Sequence, residues 1–278
     1  MSDAARIAAA LSAFVETPDG CAFGRGPARA SRPLVLAMSA GARIRHFDSA
    51  WLRTALRTIP ITYPRLRLAR DGRLVPHDRY LRTVGPIFAN DPSSLESRAA
   101  PALVEAQLRD GASVVWDRLE QVDEALQADS SALARALGCR VQSNLYIADG
   151  TDPGFDKHAD GMDVLAMQIE GRKRWQLFDP EATDRVVADI TLTAGRALYV
   201  PAGTPHLVTP LGERSIHASM SAVRPKLADY LSWSAASVDE VDLADGDGLR
   251  RVLEQMARGD AIARFLDQFP RDSVEASP

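Results

Sequence analysis

The chain has 278 residues, 46% of them hydrophobic and 25% charged, with a formal net charge of −4. That is enough apolar material for a full core, and the negative balance argues against a general affinity for nucleic acid. No apolar run is long enough to cross a bilayer, and Cys21 and Cys139, without CxxC spacing, build neither a disulfide framework nor a zinc ribbon.

Residues 3–16 carry the spacing of an amphipathic helix rather than a signal peptide, so a reducing bacterial cytoplasm is the expected compartment. Residues 18–33 are rich in Gly, Pro and Arg and read as loop, and 34–38 as a short strand. Asp48 stands as an N-cap ahead of helical spacing at Trp51, Leu52, Ala55 and Leu56. Residues 65–70 alternate, Asp71-Gly72 turns, and Arg73 resumes the pattern, which predicts a hairpin. From 41 to 82 ten arginines face only Asp48, Asp71 and Asp78. That stretch is either a solvated face balanced by the acidic tail, the simpler reading, or a surface for an acidic partner.

A helix is expected to start at Asp91 and run on to Leu108, ended by Asp110-Gly111. Strand (112–116), helix (119–137, closed by Gly138) and strand (141–147) follow. The stretch 154–175 then brings the first chemistry. His158 and Asp160 stand two residues apart, and side chains at i and i+2 of a strand share a face. An apolar run (164–169), a turn at Glu170-Gly171 and a strand (172–178) come next.

On that last strand Lys173 shares a face with Trp175 and Leu177. A lysine there either meets an anion or lays its stem along Trp175 and reaches solvent. Further on, 191–201 reads as strand, turn at Ala194-Gly195, strand, and a second turn at 202–205 delivers His206. His217 lies on the next strand, 214–223, sharing a face with Ser215 and Ser219. His158 and Asp160 with either His206 or His217 make two imidazoles and one carboxylate, a set suited to non-haem Fe(II). His46 and His77 have no ligand spacing. Beyond 223 the pattern turns helical, over 229–237 and 248–269.

Several stretches, taken in order, resemble the JmjC-type cupins of the ribosomal-oxygenase-like group. They are Gln142-Ser-Asn-Leu-Tyr146, Phe155 with His158-Ala-Asp160, Gly171-Arg-Lys-Arg-Trp175, Leu198-Tyr-Val-Pro-Ala-Gly-Thr-Pro-His206 and Ser215-Ile-His-Ala-Ser219. The match is good over 91–223 and loose before it. It implies a mainly β fold with flanking helices: a double-stranded β-helix (jelly-roll or cupin barrel) with N-terminal α/β additions and C-terminal helices.

In that family His158, Asp160 and His206 would ligate Fe(II), with His217 left to the pocket wall. Lys173 would bind the distal carboxylate of 2-oxoglutarate, helped by Asn144, Tyr146 and Ser219. Parity along one strand cannot bring Lys173 to His158, so their convergence is expected from the family fold alone. The implied activity is a dioxygenase hydroxylating a C–H bond of a protein, peptide or natural-product substrate.

The expected organisation is a catalytic domain over 1–223, its barrel core at about 111–223 after an extension over 1–110, then a helical region over 224–278. That last region is short of the winged helix carried by longer members; its apolar positions Leu249, Val252, Leu253 and Met256 are expected to pack either on the barrel or against a second copy, and the resemblance favours the homodimer. The rival readings are a non-catalytic or other-metal cupin holding a small ligand, and, from the arginine-rich stretch, a nucleic-acid hydroxylase.

Overall fold

The computed structural model describes residues 3–16, 32–85, 88, 90, 91, 93, 95–235 and 246–269. The N-terminal part runs α1 (Asp3–Leu11), β1 (Val15–Glu16), β2 (Leu34–Met38), α2 (Ser49–Thr58), β3 (Leu66–Arg70), β4 (Arg73–Leu74), β5 (Leu81–Val84), β6 (Glu96–Ala99) and α3 (Pro101–Arg109). The middle runs β7 (Ser113–Asp117), α4 (Glu124–Leu137), β8 (Arg140–Ala148), β9 (His158–Ala159), β10 (Asp163–Glu170) and β11 (Arg172–Phe178). It continues with β12 (Val186–Thr193), β13 (Arg196–Val200), β14 (Pro205–Pro210) and β15 (Ser215–Val223), before α5 (Leu227–Ala235), α6 (Gly246–Met256) and α7 (Gly259–Gln268).

Two sheets carry the architecture. The larger has the order β1-β2-β13-β10-β15-β8-β7-β3-β4, and the smaller β12-β11-β14-β9. Strands β10, β11, β13, β14 and β15 pair antiparallel with partners from distant parts of the chain, the jelly-roll wiring that the sequence predicts.

Strand parity divides the interior in two. Leu145, Ile147, Leu165, Met167, Ala197, Tyr199, Ile216 and Met220 point outward from the large sheet into a core shared with the N-terminal elements, among them Leu11, Phe14, Leu52, Leu56, Val104 and Leu133. The residues between them point inward. Val164, Ala166, Leu198 and Val200 meet Trp175, Leu177 and Leu192 of the small sheet and close one end of the barrel. Trp116 anchors the outer core, 1% exposed and 5.2 Å from the ring of Trp51.

Local chemistry explains the joints. Asp48 accepts hydrogen bonds from the backbone N–H groups of Ala50 and Trp51 and so caps α2. Asp123 does the same for α4, and Gly138 ends that helix in the left-handed region. Gly171 turns β10 into β11 at φ 63°, and a Cβ there would run into the Arg214 carbonyl.

Four expected elements differ in the structure. The helix predicted over 3–16 ends at Leu11, because Val15 and Glu16 pair with Met38 and Ala37. The helix predicted from Asp91 begins only at Pro101, and residues 96–99 pair with 81–84 instead. The helix predicted from 119 opens as a single 3-10 turn, Leu119–Gln121, and becomes α-helical after the Asp123 cap. The long C-terminal helix is two, since Arg258 is extended (ψ 136°) between α6 and α7. The loop expected over 18–33 lies almost wholly outside the described residues, as does Cys21; Cys139 is buried. Among the described residues no helix is long and apolar enough to cross a membrane.

Candidate functional site

The open end of the barrel holds a cavity of about 230 Å³ between the two sheets. The small sheet brings in three of its walls. His206 on β14 pairs directly with His158 on β9, and Lys173 sits on β11, the other neighbour of β14. The large sheet contributes Tyr146 from β8 with His217 and Ser219 from β15, where His217 pairs with Tyr146.

His158, Asp160 and His206 converge. One ligand atom from each lies within 4.8 Å of the others. The imidazole centroids are 4.5 Å apart, and Nε2 of His206 is 3.8 Å from Asp160 Oδ2. Each histidine hydrogen-bonds a backbone carbonyl through Nδ1: His158 to Asp156 at 2.8 Å, His206 to Thr204 at 3.0 Å. A carbonyl only accepts, so Nδ1 carries a proton on both rings, which leaves Nε2 as the atom each could offer a metal. Burial holds the His206 imidazole below its ordinary value, which favours the neutral ring that a metal needs. Two imidazoles and a carboxylate on one side of a cavity fit a divalent first-row ion with open positions.

The backbone that frames this set is itself fixed. Asp163 is fully buried and accepts hydrogen bonds from the Ala202 N–H at 2.9 Å and from Arg224 at 2.7 Å, tying the turn before His206 to the start of β10. Gly154 opens the loop into His158 and lies against β7; a Cβ there would come within 2.5 Å of Ser113.

Lys173 is buried, 4% exposed, and lines the same cavity. It does not snorkel to solvent. Its Nζ lies 2.9 Å from His217 Nδ1 and 3.2 Å from the Tyr146 carbonyl. Among the described residues no carboxylate pairs with it, and burial alone pulls its pKa down to about 7. An ammonium in this setting calls for an anion. His217 stands apart from the three converging groups. Burial first, then the nearby Lys173 charge, hold it well below the ordinary histidine value.

Tyr146 stacks on His217 with centroids 4.7 Å apart and planes 2° from parallel. Burial raises its pKa, and its hydroxyl is hydrogen-bonded by Asn144 and Ser219. Asn144 does not line the cavity: its Oδ1 accepts from the Arg118 N–H and from Gln142, both at 3.1 Å. Trp175 and Tyr199 are both core residues; Trp175 also forms part of the cavity wall. His46 lies 3.3 Å from Asp123 and His77 stacks near Tyr63, both away from the cavity.

Sequence reasoning missed the opposite wall. Arg67 on β3 also lines the cavity and holds Asp117 with a two-pronged pair at 2.6 and 2.9 Å. The alternation of residues 65–70 carried that signal, because Leu66 and Leu68 face the core and leave Arg67 inward. Ser221 was missed too, although it continues the Ser215, His217, Ser219 row.

The profile of the JmjC domain family matches residues 116–230. The bifunctional lysine-specific demethylase and histidyl-hydroxylase NO66 of Dictyostelium discoideum is 30% identical over 200 residues, 65% of this chain and 36% of that protein. Ribosomal oxygenase 2 of Bos taurus is 31% identical over 175 residues, 56% of this chain and 36% of that one. The chain thus spans about a third of the length of these curated relatives. Among solved structures, YcfD, a ribosomal oxygenase from Escherichia coli in complex with cobalt and 2-oxoglutarate, superposes with a TM-score of 0.54 at 18% identity. That match covers 86% of this chain and 67% of YcfD.

Proposed function

We propose, from the JmjC domain match over residues 116–230 and the likeness to ribosomal-oxygenase relatives, that this chain is a member of that family and an Fe(II)- and 2-oxoglutarate-dependent oxygenase hydroxylating a C–H bond of a protein, peptide or natural-product substrate. One observation carries the reading. A two-histidine, one-carboxylate set and a buried ammonium with no carboxylate partner among the described residues share one cavity. A cupin that merely held a metal or a small neutral ligand would have no use for the second feature.

His158, Asp160 and His206 would hold the iron through two Nε2 atoms and a carboxylate oxygen, and Lys173 would hold the far carboxylate of the keto acid. With both bound, iron, 2-oxoglutarate and dioxygen supply the oxidising power for C–H hydroxylation, with succinate and carbon dioxide as by-products. The chain's own part is to bind, orient and shield. Val164, Trp175 and Val208 give the cavity an apolar wall that limits water. Ser219 and Tyr146 line the cavity as hydroxyl groups able to hydrogen-bond a ligand, and Asn144 contributes by fixing Tyr146. Arg67, held by Asp117, lines the cavity from the large sheet.

The relatives' names, histidyl-hydroxylase and ribosomal oxygenase, support a protein side chain as substrate. The arginine-rich stretch lends little support to nucleic acid: Arg65, Arg67 and Arg70 are engaged by Gln121, Asp117 and Gln107 from other parts of the chain. Residues 1–223 are proposed as the catalytic unit. The helical region 224–278 is proposed to pair two copies, supported by Leu227, Leu231, Leu253, Ile262 and Leu266, which are 40–72% exposed. A monomer by light scattering well above micromolar concentration would remove the pairing.

The test of the activity is Lys173→Met. A charge-assisted hydrogen bond contributes roughly 1.5–3 kcal/mol, so 2-oxoglutarate should bind about tenfold to a hundredfold more weakly, with Fe(II) binding nearly intact. Equal affinity by anaerobic calorimetry, or no succinate formed by the parent with any candidate substrate, would sink the assignment.

A further inference from the structure

Lys173 reaches from the small sheet across the cavity to the large one. An ammonium carries three N–H bonds in a fixed tetrahedral spread. One points to the Tyr146 carbonyl at 3.2 Å and one to His217 Nδ1 at 2.9 Å. Two occupied directions determine the third, and Lys173 lines the cavity. With only the Tyr146 carbonyl left, the head would turn about that single contact and lose its aim.

His217 is itself immobile. It is 4% exposed, lies flat on Tyr146, and meets Trp175 edge-on at 5.5 Å and 72°. Strand β15 pairs it on one side with Tyr146 and on the other with Gln168. To accept from an ammonium, its Nδ1 must present a lone pair, so the ring is neutral with its proton on Nε2.

We propose that His217 is a positioning residue for the anion site, whose Nδ1 lone pair sets the direction of the Lys173 N–H bond offered to the distal carboxylate of the keto acid. The inference rests on the 2-oxoglutarate reading above. It gives a buried histidine outside the metal set a role other than filling space.

The experiment is a mutant cycle read by anaerobic calorimetry on the full chain loaded with Mn(II). The probes are 2-oxoglutarate and 2-oxobutyrate, a keto acid without the second carboxylate. His217→Phe keeps the ring stack but removes the acceptor. It should bind 2-oxoglutarate about tenfold more weakly and 2-oxobutyrate as the parent does. His217→Asn returns an oxygen near the Nδ1 position and should recover most of the loss. In a Lys173→Met background, His217→Phe should cost nothing further, because the two residues act as one unit.

Parent-like affinity for 2-oxoglutarate in His217→Phe overturns the proposal. So does an equal loss for both keto acids, or a full additional loss on top of Lys173→Met. If His217→Phe does not fold, His217→Asn against His217→Ala makes the same comparison. Should Lys173→Met alone bind 2-oxoglutarate like the parent, the oxygenase reading fails at Lys173, and the inference falls with it. That result is distinct from one in which Lys173 matters and His217 does not.

Discussion

At the scale of single residues the charge state of Lys173 governs the site. Its pKa is about 7 in place of 10.5 because burial disfavours the ammonium. Between those values the unfolded chain keeps a proton that the folded chain has lost. Through this group, then, the ligand-free protein gains stability as pH rises from about 7 towards 10.5. A dicarboxylate reverses the preference by pairing with the ammonium. At pH 8 its binding should therefore take up close to one proton, and affinity should fall as pH rises above 7. Calorimetry in buffers of different ionisation enthalpy measures that uptake, and none at pH 8 would show that the ammonium is not the anion's partner. The sequence made Lys173 conspicuous, as one of only three lysines and in register with Trp175 and Leu177. It did not show His217 beneath it, since that contact joins strands 44 residues apart across two sheets.

Elements were legible where burial imposes alternation. In β15 Ser215, His217, Ser219 and Ser221 interleave with Ile216, Ala218, Met220 and Ala222, and every one of the eight is buried. The apolar set enters the outer core, and His217, Ser219 and Ser221 line the cavity, a pattern readable from the sequence. Strand β6, Glu-Ser-Arg-Ala, carries no such signal, because only Ala99 is buried; its helical appearance came from neighbours on either side. The break between α6 and α7 was hidden for the opposite reason: apolar residues recur at helical spacing in both. Turns and caps carry measurable stability. Asp48→Ala should cost about 1 kcal/mol through the lost cap on α2. Gly171→Ala should cost more, roughly 1–3 kcal/mol for the left-handed backbone alone, with the Arg214 carbonyl adding to it. Denaturant unfolding that finds Gly171→Ala as stable as the parent would refute the close approach.

For the whole molecule, the large sheet does two jobs, with an apolar outer face and an inner one that carries both apolar and polar side chains. Trp116, at 1% exposure, sits in the dry core beside Trp51, while Asp117, the next residue, meets Arg67 on the cavity side. Trp116→Ala should cost about 3–5 kcal/mol and lower the melting temperature, with keto-acid affinity per folded molecule little changed. The scarcity of lysine across the chain has its own consequence, in reagent chemistry. Lys157 and Lys226 lie at the surface, and no other lysine competes with Lys173. At pH 7 about half of a group with Lys173's pKa is free amine, against roughly one part in three thousand for an ordinary lysine. Cyanate is small enough for the cavity, so carbamylation near neutrality should mark Lys173 ahead of the two exposed lysines, and 2-oxoglutarate should protect it. A peptide map by mass spectrometry would then report occupancy of the anion site directly, without a substrate in hand.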